Sequence, residues 1–209
     1  MRLNRMSLLV ASAVALAIMF AISMMSGDSY AYNTELFSIL LLAIPAWCIA
    51  RGVIVLPWPI LLGIGLSLVL HSLGLVTNLY NSTDWWDNIT HFISGITVAS
   101  LAAVVLIVVI VSSKKIRVPT PWIPFLIFAS VLAMEGVWEM LEFTMDMIIG
   151  TSMQHGLSDT MGDIVANSLS GVVAGLGFAY YISRASLREL VDDLRVERIV
   201  EWSRRTFPD

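Results

Sequence analysis

Four carboxylates, Glu135, Glu139, Glu142 and Asp146, recur at spacings of 4, 3 and 4 within a run that is otherwise apolar. Those spacings put all four on one face of a helix. A second set, Asp159, Asp163 and Asn167, is spaced 4 and 4, and a third pairs Asp87 with His91 one helical turn apart, with Ser94 about a turn further on. Carboxylates and imidazole at this spacing on facing helices are how metal centres are built inside helix bundles. Asp87, His91, Glu139, Glu142, Asp159 and Asp163 are therefore six candidate ligands for a divalent metal ion, with Asn167 and Asp146 in support. A divalent cation would offset the repulsion among the acids and activate water, which makes Glu139, Glu142 and Asp163 the candidate catalytic groups.

The elements that must position these residues are membrane spans. The chain is 57% hydrophobic and 13% charged over 209 residues, with a mean hydropathy of +0.82, far outside the range of a soluble domain. The expected fold is all-α, a polytopic bundle of six transmembrane helices over residues 1–183, followed by a cytoplasmic amphipathic tail over 184–209. The spans are expected at about 7–26, 34–52, 58–80, 88–112, 121–149 and 159–183, with Pro45 kinking the second. A cleavable signal peptide is the rival reading of the first, but its apolar run exceeds the usual signal length. Leu187, Leu190, Val191, Leu194, Ile199 and Trp202 carry the helical spacing of the tail, whose six arginines are matched by six acids, so it is no polybasic anchor. The one cysteine, Cys48, excludes an internal disulfide and a cysteine metal site.

All twelve Lys and Arg residues fall at the N-terminus, in the second and fourth connections, or in the tail. With six spans these lie on one side, so the positive-inside rule puts both termini in the cytoplasm of a multi-pass protein of the plasma membrane. Trp85, Trp86, Tyr30, Tyr32 and Tyr80 then mark the outer interface, and Trp58, Trp122, Tyr180 and Tyr181 the inner one. In that frame Asp87 and His91, the Glu135 to Asp146 stripe, and Asp159, Asp163 and Asn167 descend from the same surface, and His71 lies in the same outer half. Glu142, Glu139 and Glu135 fall about 6, 10 and 16 Å deeper than Asp146. An ionised group in hydrocarbon costs roughly 2.5–3.5 kcal/mol on insertion scales, so these acids must face protein, water or an ion. The expected arrangement is one cavity open to the exterior, lined by Asp87, His91, Glu139, Glu142, Asp159, Asp163 and Asn167, with Gly95, Gly136, Gly162 and Gly171 allowing close helix approach. Glu135, the deepest, has no matched partner.

Asp87-Asn-Ile-Thr-His91-Phe, Glu139-Met-Leu-Glu142-Phe and Asp159-Thr-Met-Gly-Asp163-Ile-Val-Ala-Asn167-Ser-Leu-Ser-Gly171 resemble the pattern of the YjdF-type family of small membrane proteins. They are also similar to the VanZ-like family, in which an Asp-x-x-x-His, a Glu followed by Gln or Glu, and an Asp-x-x-x-Asn-x-x-Gly block recur. The resemblance covers about residues 85–175. Glu142 stands where the VanZ-like form has Gln, and Glu135 matches neither pattern. The VanZ-like family is linked to glycopeptide antibiotic tolerance, and neither family brings a settled activity.

Three functions compete. The first is a metal-dependent membrane enzyme, a hydrolase being the simplest form, acting on a lipid-linked or envelope substrate that arrives from outside. The second is a proton- or cation-coupled transporter, against which the acids thin out below Glu135 and Asn167. The third is a buried hydrogen-bond network that fixes packing without chemistry, which is the reading preferred for His71 alone. His155 is expected to be solvated, and Trp138 and the neighbouring methionines to be packing residues. There is no Gly-x-Ser-x-Gly elbow, no His-Glu-x-x-His, no phosphate-binding glycine loop and no basic surface for nucleic acid; membrane lipids are the expected surroundings, and a homo-oligomer is compatible with the sequence.

Overall fold

A computed structural model describes residues 5–113, 116–184, 189, 192, 194, 196 and 199–201. The described chain is helical and contains no strand: α1 (Arg5–Ser26), α2 (Ser29–Ala50), α3 (Trp58–Val76), a single turn α4 (Leu79–Ser82), α5 (Trp86–Ser112), α6 (Ile123–Ile149), preceded by a 3-10 turn at Thr120–Trp122, and α7 (Leu157–Ile182). Six of these are long and apolar enough to cross a membrane.

Local chemistry accounts for the boundaries. The second span starts at Ser29 rather than the expected 34 because Asp28 caps it, its Oδ1 accepting from Ala31 N–H at 3.0 Å. Gly27, at φ 76°, makes the left-handed turn that joins α1 to that cap. The third span ends at Val76, short of the expected 80, since Asn78 adopts φ 58° and turns the chain into α4. Gly150, also at φ 76°, terminates α6, its N–H bonding to Asp146 O at 3.1 Å. Helix α2 runs on through Pro45 to Ala50.

Residues 1–183, expected as one domain, divide by packing into two units, Met1–Trp86 with Arg188–Pro208, and Asp87–Leu187. In the first, α1, α2 and α3 pack on one another around Leu9, Leu16, Leu42, Leu56 and Leu61. Gly65 of α3 lies against Ser12 of α1, where any side chain would collide with the hydroxyl. Helix α1 turns Val10, Val14, Ile18, Ile22 and Met25 outward along one stripe, an apolar face suited to lipid rather than water. Of the tail, Leu194 is buried and its carbonyl accepts from Val55 N–H at 2.8 Å, while Leu187, Leu190, Val191 and Trp202, on which the amphipathic helix was to rest, lie outside the described residues.

The second unit holds α5, α6 and α7. Its apolar core, Ala99, Ala103, Ile123, Ile127 and Val131, occupies one end. The buried face of α6 then continues in the same i, i+4 rhythm as Glu135, Glu139 and Glu142, so one stripe changes from aliphatic to acidic halfway along the helix. Helix α7 mirrors this, burying Asp163 and Asn167 toward its start and Gly171 and Gly175 further on. The polar groups therefore collect at one end of the unit.

Candidate metal centre in the second unit

His91 is the hub. It is 8% exposed, and its two ring nitrogens face different groups. Nδ1 stands 3.2 Å from Glu135 Oε1 and 3.3 Å from Oε2, and Asn167 Nδ2, 2.9 Å from the same nitrogen, donates to Glu135 Oε2. An ionised carboxylate only accepts, so Nδ1 is placed to donate to Glu135. In the neutral tautomer that donates from Nδ1, Nε2 offers its lone pair, and it points toward Asp87 Oδ1 at 3.4 Å and Asp163 Oδ1 at 3.9 Å. Both distances exceed an ordinary N–H···O bond. They fit two ligands of one cation instead: atoms each about 2.1 Å from a tetrahedral ion stand roughly 3.4 Å apart. One ligand atom from each of Asp87, His91 and Asp163 lies within 4.8 Å of the others. A histidine held by a carboxylate through one nitrogen and free at the other is the usual form of a metal ligand and its orienting partner.

Helix packing fixes this hub. Gly95, one turn along α5 from His91, leaves no room for a Cβ because Ser170 Oγ and Asn167 Oδ1 of α7 occupy that space. Gly171 likewise meets Phe128 of α6, with the nearest atom 3.0 Å from a would-be Cβ, and Gly162 meets Asn88 at the same distance. The fourth glycine expected at a close approach, Gly136, faces nothing within 4 Å and has no such role.

The remaining acids take distinct places. Glu139 is buried, accepts a long bond of 3.5 Å from Gln154 Nε2 through Oε2, and leaves Oε1 without a hydrogen-bond partner. Glu142, also buried, accepts from Trp138 Nε1 at 2.8 Å and is within electrostatic reach of Glu139, His91 and Asp87. Trp138 is thus a hydrogen-bond donor to the cluster, not a packing residue alone. Asp159 accepts from His155 N–H at 3.1 Å and pairs with its ring at 3.6 Å, His155 being largely exposed as expected. Asp146 organises the loop after α6, accepting from Thr151 Oγ1, from Met153 N–H at 2.9 Å and from Gln154 N–H at 3.0 Å. That loop brings Gln154 Nε2 onto both Glu139 and Thr160 Oγ1, the latter at 3.1 Å. Gln154 is a residue that spacing arguments miss, since it belongs to no helix. Between Arg117 and Arg184 and between Arg51 and Lys114 the sequence has no Lys or Arg, so no fixed cation from α5, α6 or α7 balances these acids.

One expectation changes here and another is met. Glu135, read as partnerless, has a partner on each neighbouring helix, its Oε2 meeting His91 of α5 and Asn167 of α7, while its Oε1 makes no hydrogen bond. His71 belongs to the first unit, where its Nδ1 bonds Tyr80 Oη at 2.8 Å.

Six membrane-length helices and a polar cluster buried at one end of three of them define a polytopic integral membrane protein. The model of a family described as predicted membrane proteins, DUF2238, matches residues 7–184, and the chain belongs to that family. The YjdF-type resemblance is to this family, and the match takes in all six spans where the motifs covered only 85–175. No curated protein and no solved structure gives a match.

Proposed function

We propose that Asp87, His91 and Asp163 hold a divalent metal ion, with Glu139 and Glu142 beside it, and that the protein is a metal-dependent membrane enzyme acting on a lipid-linked or envelope substrate. The observation that carries the reading is the two-sided engagement of His91: Glu135, itself held by Asn167, at Nδ1, and two carboxylates at Nε2. A purely structural network would be expected to hold Nε2 in a short hydrogen bond, and its two carboxylate neighbours stand at 3.4 and 3.9 Å. The unpartnered Glu139 Oε1 offers a further oxygen to an ion or to the water it would activate. Transport ranks lower because the polar stripe of α6 gives way to Val131, Ile127 and Ile123, and that of α7 to Gly171 and Gly175.

The motif likeness to the VanZ-like family supports an envelope substrate, and the distribution of Lys and Arg supports both termini in the cytoplasm with the cluster toward the exterior. Metal analysis of protein purified without chelators tests the first claim. Wild type should carry close to one divalent ion per chain, and His91→Ala and Asp163→Asn should carry almost none; metal-free wild type defeats the reading. Ion flux into liposomes that Glu139→Gln abolishes would favour transport instead. For orientation, a cysteine introduced at Ser82 should react with an impermeant reagent from outside intact cells, and labelling only from the cytoplasmic side would reverse every depth assigned.

A further inference from the structure

The first unit contains a buried acid that the centre on α5, α6 and α7 does not use. Glu35 of α2 has no exposed surface, and only one of its oxygens is satisfied. Ser23 Oγ of α1 donates to Oε1 at 2.9 Å, whereas Oε2 is buried without a hydrogen-bond partner. Ser72 Oγ of α3 is in the same condition, with no exposed surface and no partner.

Helix geometry brings these groups within about a turn of one another. Ser23 lies roughly 5 Å from the end of α1, Glu35 roughly 9 Å from the start of α2 and Ser72 roughly 6 Å from the end of α3, at 1.5 Å per residue. The turn at Gly27 and Asp28 joins the first two of those ends. Contact between Gly65 and Ser12 aligns α3 with α1, and seven residues on, two turns higher, it sets Ser72 beside Met19, a turn below Ser23. Ser38 lies one turn below Glu35 on the same buried face; its hydroxyl donates to Thr34 O at 3.0 Å and is left free to accept. Three mutually packed helices thus carry one buried carboxylate and three buried hydroxyls within about a turn of one another, with two oxygens unsatisfied.

A carboxylate in such surroundings needs a counter-charge, and after Arg5 none of α1, α2 and α3 contains a Lys or Arg. The ligands are all hard oxygens and carry one formal charge between them, which matches a monovalent rather than a divalent cation. The geometry points to a sodium-type cation site among α1, α2 and α3, formed by the Glu35 carboxylate and the hydroxyls of Ser23, Ser38 and Ser72. It is separate from the Asp87, His91 and Asp163 cluster and does not depend on the reading given to that cluster.

The test uses the full-length protein in detergent, exchanged into choline chloride and titrated with sodium chloride at constant ionic strength, with radioactive sodium binding and thermal unfolding as readouts. Wild type should bind sodium saturably and unfold at higher temperature as the site fills. Glu35→Gln should abolish both effects, Ser72→Ala should weaken sodium binding roughly tenfold, as expected for loss of one ligand, and His91→Ala should leave it unchanged. Absence of saturable binding to wild type, or its persistence in Glu35→Gln, overturns the proposal. Should Glu35→Gln fail to fold, Ser72→Ala decides the matter, since it removes only a hydroxyl: unaltered sodium affinity in that variant overturns the proposal equally.

Discussion

Glu35 and Glu135 are both carboxylates buried in a three-helix unit, at 0% and 5% exposure and each with one oxygen that makes no hydrogen bond, yet their surroundings differ in kind. Glu135 meets an imidazole from one neighbouring helix and an amide from the other. Glu35 meets one serine hydroxyl. The first is an interior member of a chain of polar groups that continues through His91 to Asp87 and Asp163, and its work is to orient what lies beyond it. The second is the end of its chain, joined to one hydroxyl and nothing further. Burial of an acid therefore does not by itself identify a ligand: an acid joined on two sides to other polar groups positions them, and one at which the polar chain ends is available to bind.

That contrast is broken or upheld most directly by exchanging each carboxyl for its amide. Glu135→Gln should keep the fold, because an amide still accepts from one donor, but should lower divalent-metal affinity by roughly 10- to 100-fold, the usual effect of losing the group that orients a histidine ligand. In a His91→Ala background the same change should have almost no further effect, since the residue through which it acts is gone. Calorimetric titration of the four proteins measures both. Glu35→Gln should leave divalent-metal content at the wild-type level. Equal losses from the two substitutions would mean that burial, not partnership, determines what these acids do.

Much of the fold was legible because a bilayer permits few solutions. Apolar runs of membrane length must be helices there, and Gly, Asn and Pro punctuate them. The i, i+4 spacing likewise puts Asp87 with His91 on one helix face and Asp163 with Asn167 on another, and the alternation of spans puts both at the same side of the membrane. Glu135 was misjudged for a specific reason. Counting depth from the sequence treats all helix ends as level, but Glu135 is about 21 Å along α6 from its end at Ile149 while His91 is only about 8 Å into α5, and the two touch. Helix α6 therefore projects well past the start of α5, with Met147, Ile148 and Ile149 exposed on that extension. Relative register between helices is set by packing, here by Gly95 against Ser170 and Asn167, and no single segment encodes it. Glu35 escaped notice because one acid near the start of a span looks like an interfacial residue, and only the packing of α1, α2 and α3 encloses it. Gln154 was invisible since loops have no periodicity.

The loop also supplies the smallest test of the comparison. The polar chain of the second unit does not stop at its helices: Asp146 gathers Thr151, Met153 and Gln154, and Gln154 in turn reaches Glu139. Asp146→Ala removes the acceptor of three bonds at once, two of them from backbone amides. Because the residue lies at the surface, the expected result is local: the amides of Met153 and Gln154 should exchange with solvent on the order of tenfold faster, with the protection of α6 and α7 unaltered. Glu139 then loses a donor that was already long at 3.5 Å, so divalent-metal affinity should fall by less than in Glu135→Gln. Hydrogen exchange read by mass spectrometry over 150–156, beside a metal titration, separates the two effects. A loss as large as that from Glu135→Gln would make the loop, rather than the carboxylate behind His91, the element that completes the site.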